Sequence, residues 1–385
     1  MTSILPQDAD RARLLGRVWR ADLGCPSVVA VRGGRVFDIT HHAPTMAHAL
    51  AHPDPLALWQ AEGEDLGPVE DLVAEGEAAR PGSDVSCILA PADVQPVRGN
   101  GVTYVRSLLE RVLEERAKGD PAKAAELRRE LERALGGRLS SIRPGSPEAM
   151  RAKEVLVREG LWSQYLEVGI GPDAEVFAKA PPMSAVGPGA FVGIRPDSKW
   201  NNPEPEVVLA VAPDGRILGA TLGNDVNLRD FEGRSALLLG KAKDNNGSCA
   251  IGPFVRLFDD AFDMDALLET EIELEVVGED GFRLNERHRV GEISRPPQEL
   301  VRQLMEYHPY PDGVVLFLGT LFAPVQDREG PGSGFTHHVG DVVRIRASTL
   351  GLLENRVGTC DRIPPWDYGI ARLMHDLARR GVLRG

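Results

Sequence analysis

The residues best placed to do chemistry sit in one short stretch. Glu204-Pro-Glu206 is followed, after Asp214-Gly215, by Asp225. Glu204 and Glu206 are two apart, so in a strand their side chains leave the same face. Asp-Gly between two aliphatic runs is a hairpin signal. Counting back from a two-residue turn flanked by Pro213 and Arg216 sets Glu204 directly opposite Asp225, where facing Cβ atoms stand about 5 Å apart. Three carboxylates that close raise one another's pKa unless a cation sits among them. A donor set made only of oxygen suits a hard ion, Mg²⁺ before Mn²⁺ or Ca²⁺.

Such a hairpin needs a β framework around it. The chain reads as α+β and β-rich, with a small mixed segment over residues 1–92 and a larger one over 93–385. In the first, Gly33-Gly34 joins two short strands, residues 42–75 carry a loosely amphipathic helical pattern, and 77–84 form a linker. Residues 107–160 read as a helical segment, with start signals at Asp120-Pro121 and Ser146-Pro147. From Gly171 onward short β-rich runs dominate: 191–194, 204–211, 216–223, 271–277, 313–318 and 341–346.

Composition narrows the partners. Of the 385 residues 42% are apolar and 26% charged, which allows a large core and excludes global disorder. The net charge of -13, with no basic block, argues against nucleic acid and anionic membranes. Cys25, Cys87, Cys249 and Cys360 are scattered, without zinc or disulfide spacing. No basic, apolar leader and no membrane-length apolar run is present, so a soluble cytoplasmic protein is expected.

Taken together, Glu204-Pro-Glu206, Gly223-Asn-Asp225-Val-Asn-Leu-Arg229-Asp230, Gly240-Lys-Ala-Lys243 and Gly252-Pro253 resemble the signature of the fumarylacetoacetate hydrolase superfamily. Phe177-Ala-Lys-Ala-Pro-Pro precedes them, and Gly319-Thr320 and Val339-Gly-Asp341 follow in the family order. The resemblance implies a rolled β-sheet core with a variable N-terminal domain, assembly as a homodimer or homotetramer, and Mg²⁺ on Glu204, Glu206 and Asp225 chelating a 2-keto acid. Many hydrolases of this superfamily carry a His–Glu dyad that activates water. In the matching segment Thr103-Tyr104-Val-Arg106-Ser107, Ser107 stands where that histidine would be, and a hydroxyl cannot take a proton near neutrality as imidazole does.

Gly101-Val-Thr-Tyr and Asp197-Ser-Lys-Trp-Asn instead resemble the 2-keto-3-deoxypentonate dehydratases. That likeness implies Glu175 and Lys243 as the acid–base pair. It also implies polar substrate contacts from Thr103, Tyr104, Arg106, Ser107, Ser198, Lys199 and Thr320. The implied reaction is loss of water from a xylonate- or arabinonate-derived 2-keto-3-deoxypentonate to give 2,5-dioxopentanoate. The alternative is an acylpyruvate-type carbon–carbon hydrolase on the same metal site. Arg229-Asp230 reads as a structural ion pair, and His337-His338 lacks the spacing of a second metal site.

Overall fold

Aliphatic runs pair into two packed sheets in a computed structural model that describes residues 3–104, 108, 112, 142–322, 326–330 and 334–383. The N-terminal part supplies β1 (Leu14–Arg20), β2 (Cys25–Arg32), β3 (Arg35–Asp38), β4 (Glu64–Pro68), β5 (Cys87–Leu89) and β6 (Val97–Gly101). Then come β7 (Glu175–Ala180), β8 (Phe191–Ile194), β9 (Asn201–Asn202), β10 (Pro205–Val211), β11 (Ile217–Asp225), β12 (Asn227–Leu228) and β13 (Cys249–Leu257). The last are β14 (Glu271–Val277), β15 (Arg283–Arg289), β16 (Val314–Phe317), β17 (Val342–Ala347) and β18 (Gly351–Thr359). The larger sheet runs β4-β3-β2-β1-β13-β11-β10-β16-β6-β7, with β5 also on β1; the smaller runs β15-β14-β17-β18-β8.

The two sheets share one core. Val207, Leu209 and Val211 of β10 and Leu222 of β11 pack with Leu274 and Val276 of β14, Ile345 of β17 and Leu353 of β18. On the opposite face of β10, Val208 packs with Ile251 and Phe317. β10 is therefore buried on both sides, which explains its unbroken apolar run. The 1–92 segment continues the same sheet, because β1 pairs antiparallel with β13.

The larger sheet is curled. In a flat sheet β7 would lie about 19 Å from β11, four strand spacings away. Yet Lys179 Nζ on β7 is 2.8 Å from Asp225 Oδ1 at the end of β11. Beyond β7, Val186 bridges to Ala250 of β13 and closes the roll.

Two expectations need correction. The helical pattern over 42–75 is broken by Pro53, Pro55 and Gly63 into helices Met46–Ala51 and Pro55–Trp59, followed by β4. The hairpin tip is a three-residue loop, because Ala212 N–H donates to Arg216 O. A bulge between Ala210 and Val211 and their partners then restores the register, so Pro205 faces Asn224 and Asp225 N–H donates to Glu204 O at 3.0 Å. The expected pairing of Glu204 with Asp225 is kept because the two departures cancel.

The helix from Ser146-Pro147 is present as Pro147–Arg158, with Ser146 Oγ accepting from Ala149 N–H. The start at Asp120-Pro121 lies outside the described residues, of which only Leu108 and Val112 represent the preceding helix. This helical region is tied to the smaller sheet's flank by Arg295, whose buried guanidinium donates to Val168 O and Gly171 O at 2.7 Å and to Asp173 O at 3.2 Å. Arg295→Met strands these carbonyls. Each buried acceptor left unpaired costs roughly 1–3 kcal/mol, so the expected loss is about 3 kcal/mol, read as a lower denaturant midpoint by circular dichroism.

Candidate active site

One end of six adjacent strands gathers the reactive groups. β13, β11 and β10 run alternately, β16 is antiparallel to β10, β6 is parallel to β16, and β7 is antiparallel to β6. The start of β10, the end of β11, the start of β13, the end of β16, the end of β6 and the start of β7 therefore meet. Glu204, Glu206 and Asp225 lie there, all buried, with ligand-competent atoms within 4.8 Å of one another. Among the described residues this is the one acid, His or Cys grouping that could hold a metal ion.

Two ammonium groups enter the cluster. Lys243 closes the short helix Leu239–Lys243, and its Nζ lies 2.5 Å from Glu204 Oε2 and 2.9 Å from Asp225 Oδ2. Lys179 Nζ is 2.8 Å from Asp225 Oδ1, an ion pair that falls short of hydrogen-bond angles and leaves Oδ1 without a hydrogen-bond partner. Lys179 also donates to the main-chain carbonyl of Lys243, which accepts from Ser248 Oγ at 2.7 Å as well. Phe177 lies beneath, its ring centroid 5.5 Å from Lys243 Nζ.

Among the described residues, no lysine forms an ion pair with Glu206. Burial first, and then the charges of Asp225 and Glu204, push its carboxyl well above the usual range, against the pull of Lys243 and of Gly319 N–H, which donates to Glu206 Oε2 at 2.6 Å. The donor set fits a divalent ion: three oxygen donors converge, and Glu204 and Asp225 already share a cation, the Lys243 ammonium.

The remaining expected residues fall into distinct places. Glu175 faces Gly101 across β7 and β6, and its carboxylate lies over that glycine, where a Cβ would stand 1.9 Å from Oε2. Thr103 does not offer its hydroxyl outward: Oγ1 donates to Leu318 O at 2.6 Å and fixes the turn that aims Gly319 N–H. Gly319 has φ +91°, and a Cβ there would come within 2.2 Å of Thr103 Oγ1. Thr320 Oγ1 donates to Pro205 O at 3.0 Å, again buttressing the carboxylate strand.

Tyr104 is buried edge-on to His288, with its phenol pushed up by burial and by the nearby Glu206 and Glu292 charges. Ser198 Oγ and Lys199 N–H both donate to Asp230, so Asp230 anchors that turn, while the expected ion pair with Arg229 gives way to a guanidinium lying over the Trp200 ring, 4.4 Å from its centroid. Arg106 and Ser107 lie outside the described residues. His337 belongs to a network with Asp341 at 3.2 Å, and Asp341 is in turn clamped by Arg328.

Sequence reasoning passed over Lys179, Asn227 and Gly319. The signal for Lys179 was present: Glu175, Phe177 and Lys179 alternate along β7 and so share a face. Asn227 Nδ2 donates to Glu204 Oε1 at 3.1 Å and to Glu232 Oε2 at 2.5 Å. Its place against Glu204 depends on the pairing of β12 with β9.

A sequence model of the fumarylacetoacetate (FAA) hydrolase C-terminal domain matches residues 166–358, half of the chain, and the protein belongs to that family. A 2-dehydro-3-deoxy-D-arabinonate dehydratase of Saccharolobus solfataricus is 33% identical over 179 residues, 46% of this chain and 57% of that protein. A probable 2-keto-3-deoxyxylonate dehydratase of Haloferax volcanii is 35% identical over 195 residues, 51% of this chain and 64% of that protein. The chain thus spans about three-fifths of the length of these relatives. In fold it is similar to a 2-keto-3-deoxy-D-arabinonate dehydratase structure complexed with magnesium and 2,5-dioxopentanoate, with a TM-score of 0.61 at 21% identity over 90% of this chain and 99% of that one.

A proton on Glu206 competes with an ion. Because that carboxyl is raised, it becomes ionised only at higher pH, and ion affinity must climb with pH through a range where an ordinary glutamate is already charged. Calorimetric titration of Mg²⁺ into metal-free protein at a series of pH values is expected to show affinity that rises with pH, with protons released on binding wherever Glu206 still carries one.

Proposed function

We propose that the protein is a Mg²⁺-dependent dehydratase that converts a 2-keto-3-deoxypentonate, derived from xylonate or arabinonate, to 2,5-dioxopentanoate. The observation that carries this reading is the placing of Lys243 between Glu204 and Asp225 at the strand ends where Glu175 also lies. The names of the two relatives support the substrate class. Glu204, Glu206 and Asp225 would hold the ion, which supplies a Lewis acid for the ketone and carboxylate oxygens of the substrate.

The chain's own groups then move the protons. Carbon 3 of such a substrate bears an acidic proton next to the ketone, and Lys243 in its neutral form takes it. Glu175 hands a proton to the hydroxyl leaving carbon 4, so one water departs and a carbon 3–carbon 4 double bond forms. A proton shift from carbon 5 then yields an enol that becomes the aldehyde. The charge count suits an anionic substrate: three carboxylates, two ammonium groups and one dication leave a single positive charge when the lysines are protonated. The same reading places the enzyme in the cytoplasm, in pentose catabolism, as a homodimer or homotetramer, with Mn²⁺ as a substitute for Mg²⁺.

Incubation with Mg²⁺ and a synthetic 2-keto-3-deoxypentonate should release the aldehyde, and chelation should stop it. Lys243→Met should lower turnover at least ~10²-fold, the lower end of what general acid–base help contributes, with deuterium exchange at carbon 3 falling alongside. Persisting exchange would assign the first proton to Glu175; near-normal turnover would remove Lys243 from the mechanism. Fumarylpyruvate should be cleaved far more slowly than the sugar acid is dehydrated, since Ser107 provides no imidazole. Faster acylpyruvate cleavage in side-by-side kinetics would favour the hydrolase instead.

A further inference from the structure

Each of the three carboxylates has one oxygen that already faces a protein group outside the ring of ligands, Glu204 and Glu206 through hydrogen bonds and Asp225 through an ion pair. Glu204 Oε1 accepts from Asn227 Nδ2 at 3.1 Å. Glu206 Oε2 accepts from Gly319 N–H at 2.6 Å. Asp225 Oδ1 faces Lys179 Nζ at 2.8 Å. The opposite oxygens of Glu204 and Asp225, Oε2 and Oδ2, converge on Lys243 Nζ.

We propose that Asn227, Gly319 and Lys179 hold Glu204, Glu206 and Asp225 to one inward oxygen each, and that this restriction selects Mg²⁺ over Ca²⁺. The inference rests on the metal site proposed above and concerns which ion it prefers. Mg²⁺ is small and wants six ligands in near-octahedral order, whereas Ca²⁺ takes six to eight and often binds a carboxylate through both oxygens. Three single-oxygen donors would supply half of the six ligands Mg²⁺ prefers and leave the rest to substrate or water. They deny a larger ion the extra oxygens it would use.

The three outer donors are themselves constrained. Asn227 Nδ2 lies between two carboxylates, Glu204 and Glu232, so the amide nitrogen and not its oxygen must face them. Asn227 is fully buried, and its Oδ1 has no hydrogen-bond partner, a cost accepted for the donor's position. Gly319 N–H is aimed by a positive φ that Thr103 keeps free of any Cβ. Lys179 has no exposed surface and is tethered a second time to the Lys243 carbonyl. All three act through the ligands and are positioning residues.

The test is calorimetry of Mg²⁺ and Ca²⁺ separately into metal-free full-length protein, without substrate. Wild type should bind Mg²⁺ more tightly than Ca²⁺. Asn227→Ala removes one outer donor without changing charge, and Lys179→Met removes another; each should shift the Kd ratio toward Ca²⁺ at least ~10-fold, on the scale by which outer partners tune metal sites. Lys179→Arg, which keeps a cationic donor, should retain most of the wild-type ratio. The ratio is the readout because loss of the Lys179 charge strengthens binding of both ions, and loss of folding would weaken both. Wild type that prefers Ca²⁺, or a ratio unmoved in a folded variant that still binds Mg²⁺, overturns the inference and leaves the metal site standing. Failure of wild type to bind either ion overturns both.

Discussion

Three like charges are buried within 4.8 Å of one another, and the rest of the structure answers to that constraint. Two unit charges 4 Å apart repel by about 4 kcal/mol at an effective dielectric of about 20. Three such pairs reach about 12 kcal/mol, comparable to the roughly 5–15 kcal/mol that separates a folded domain from its unfolded chain. A bare acidic cluster could not persist here. It is held by Lys243 and Lys179 and by donors from Asn227 and Gly319.

Each of those compensating groups comes from a different part of the sheet. Lys243 arrives on a one-turn helix between β12 and β13, Gly319 on the turn after β16, and Lys179 on β7 at the sheet's far edge. Only a curled sheet lets β7 reach β11. The apolar contact of β10 and β11 with the smaller sheet supports this curl, so the packing of aliphatic side chains governs which charges meet at the site. Thr103 and Thr320 serve the same end, as buried hydroxyls that tie β16 and β6 to the carboxylate strand.

The proposed chemistry uses the same balance. A lysine that shares two carboxylates is a strong counter-ion, and its ammonium stands where a dication would take over that role. With an ion on the carboxylates, Lys243 would no longer have to carry that charge and would be available as the base proposed above. Stability without metal and reactivity with it would thus draw on one side chain.

Local pattern alone determined much of this. Alternation and aliphatic runs gave strands such as Glu271–Val277 and Phe191–Ile194, because burial on a pleated sheet is a period-two property of nearby residues. The Glu204–Glu206–Asp225 grouping was legible for the same reason: a hairpin is a local structure, and its register follows from a few residues between two strands. Even there the tip was misjudged, and a compensating bulge kept the pairing. The helical pattern over 42–75 failed where Pro and Gly punctuation outweighed amphipathic spacing. The tertiary structure alone decided the partners of the carboxylates. Lys179 is separated from Asp225 by more than forty residues and by three intervening strands of the sheet, and Gly319 meets Glu206 only because β16 pairs with β10. Thr103 was expected to face substrate and instead fixes a backbone turn. Contacts of that kind depend on how a sheet curls, which is set by the packing of its whole face and is written in no short stretch of sequence.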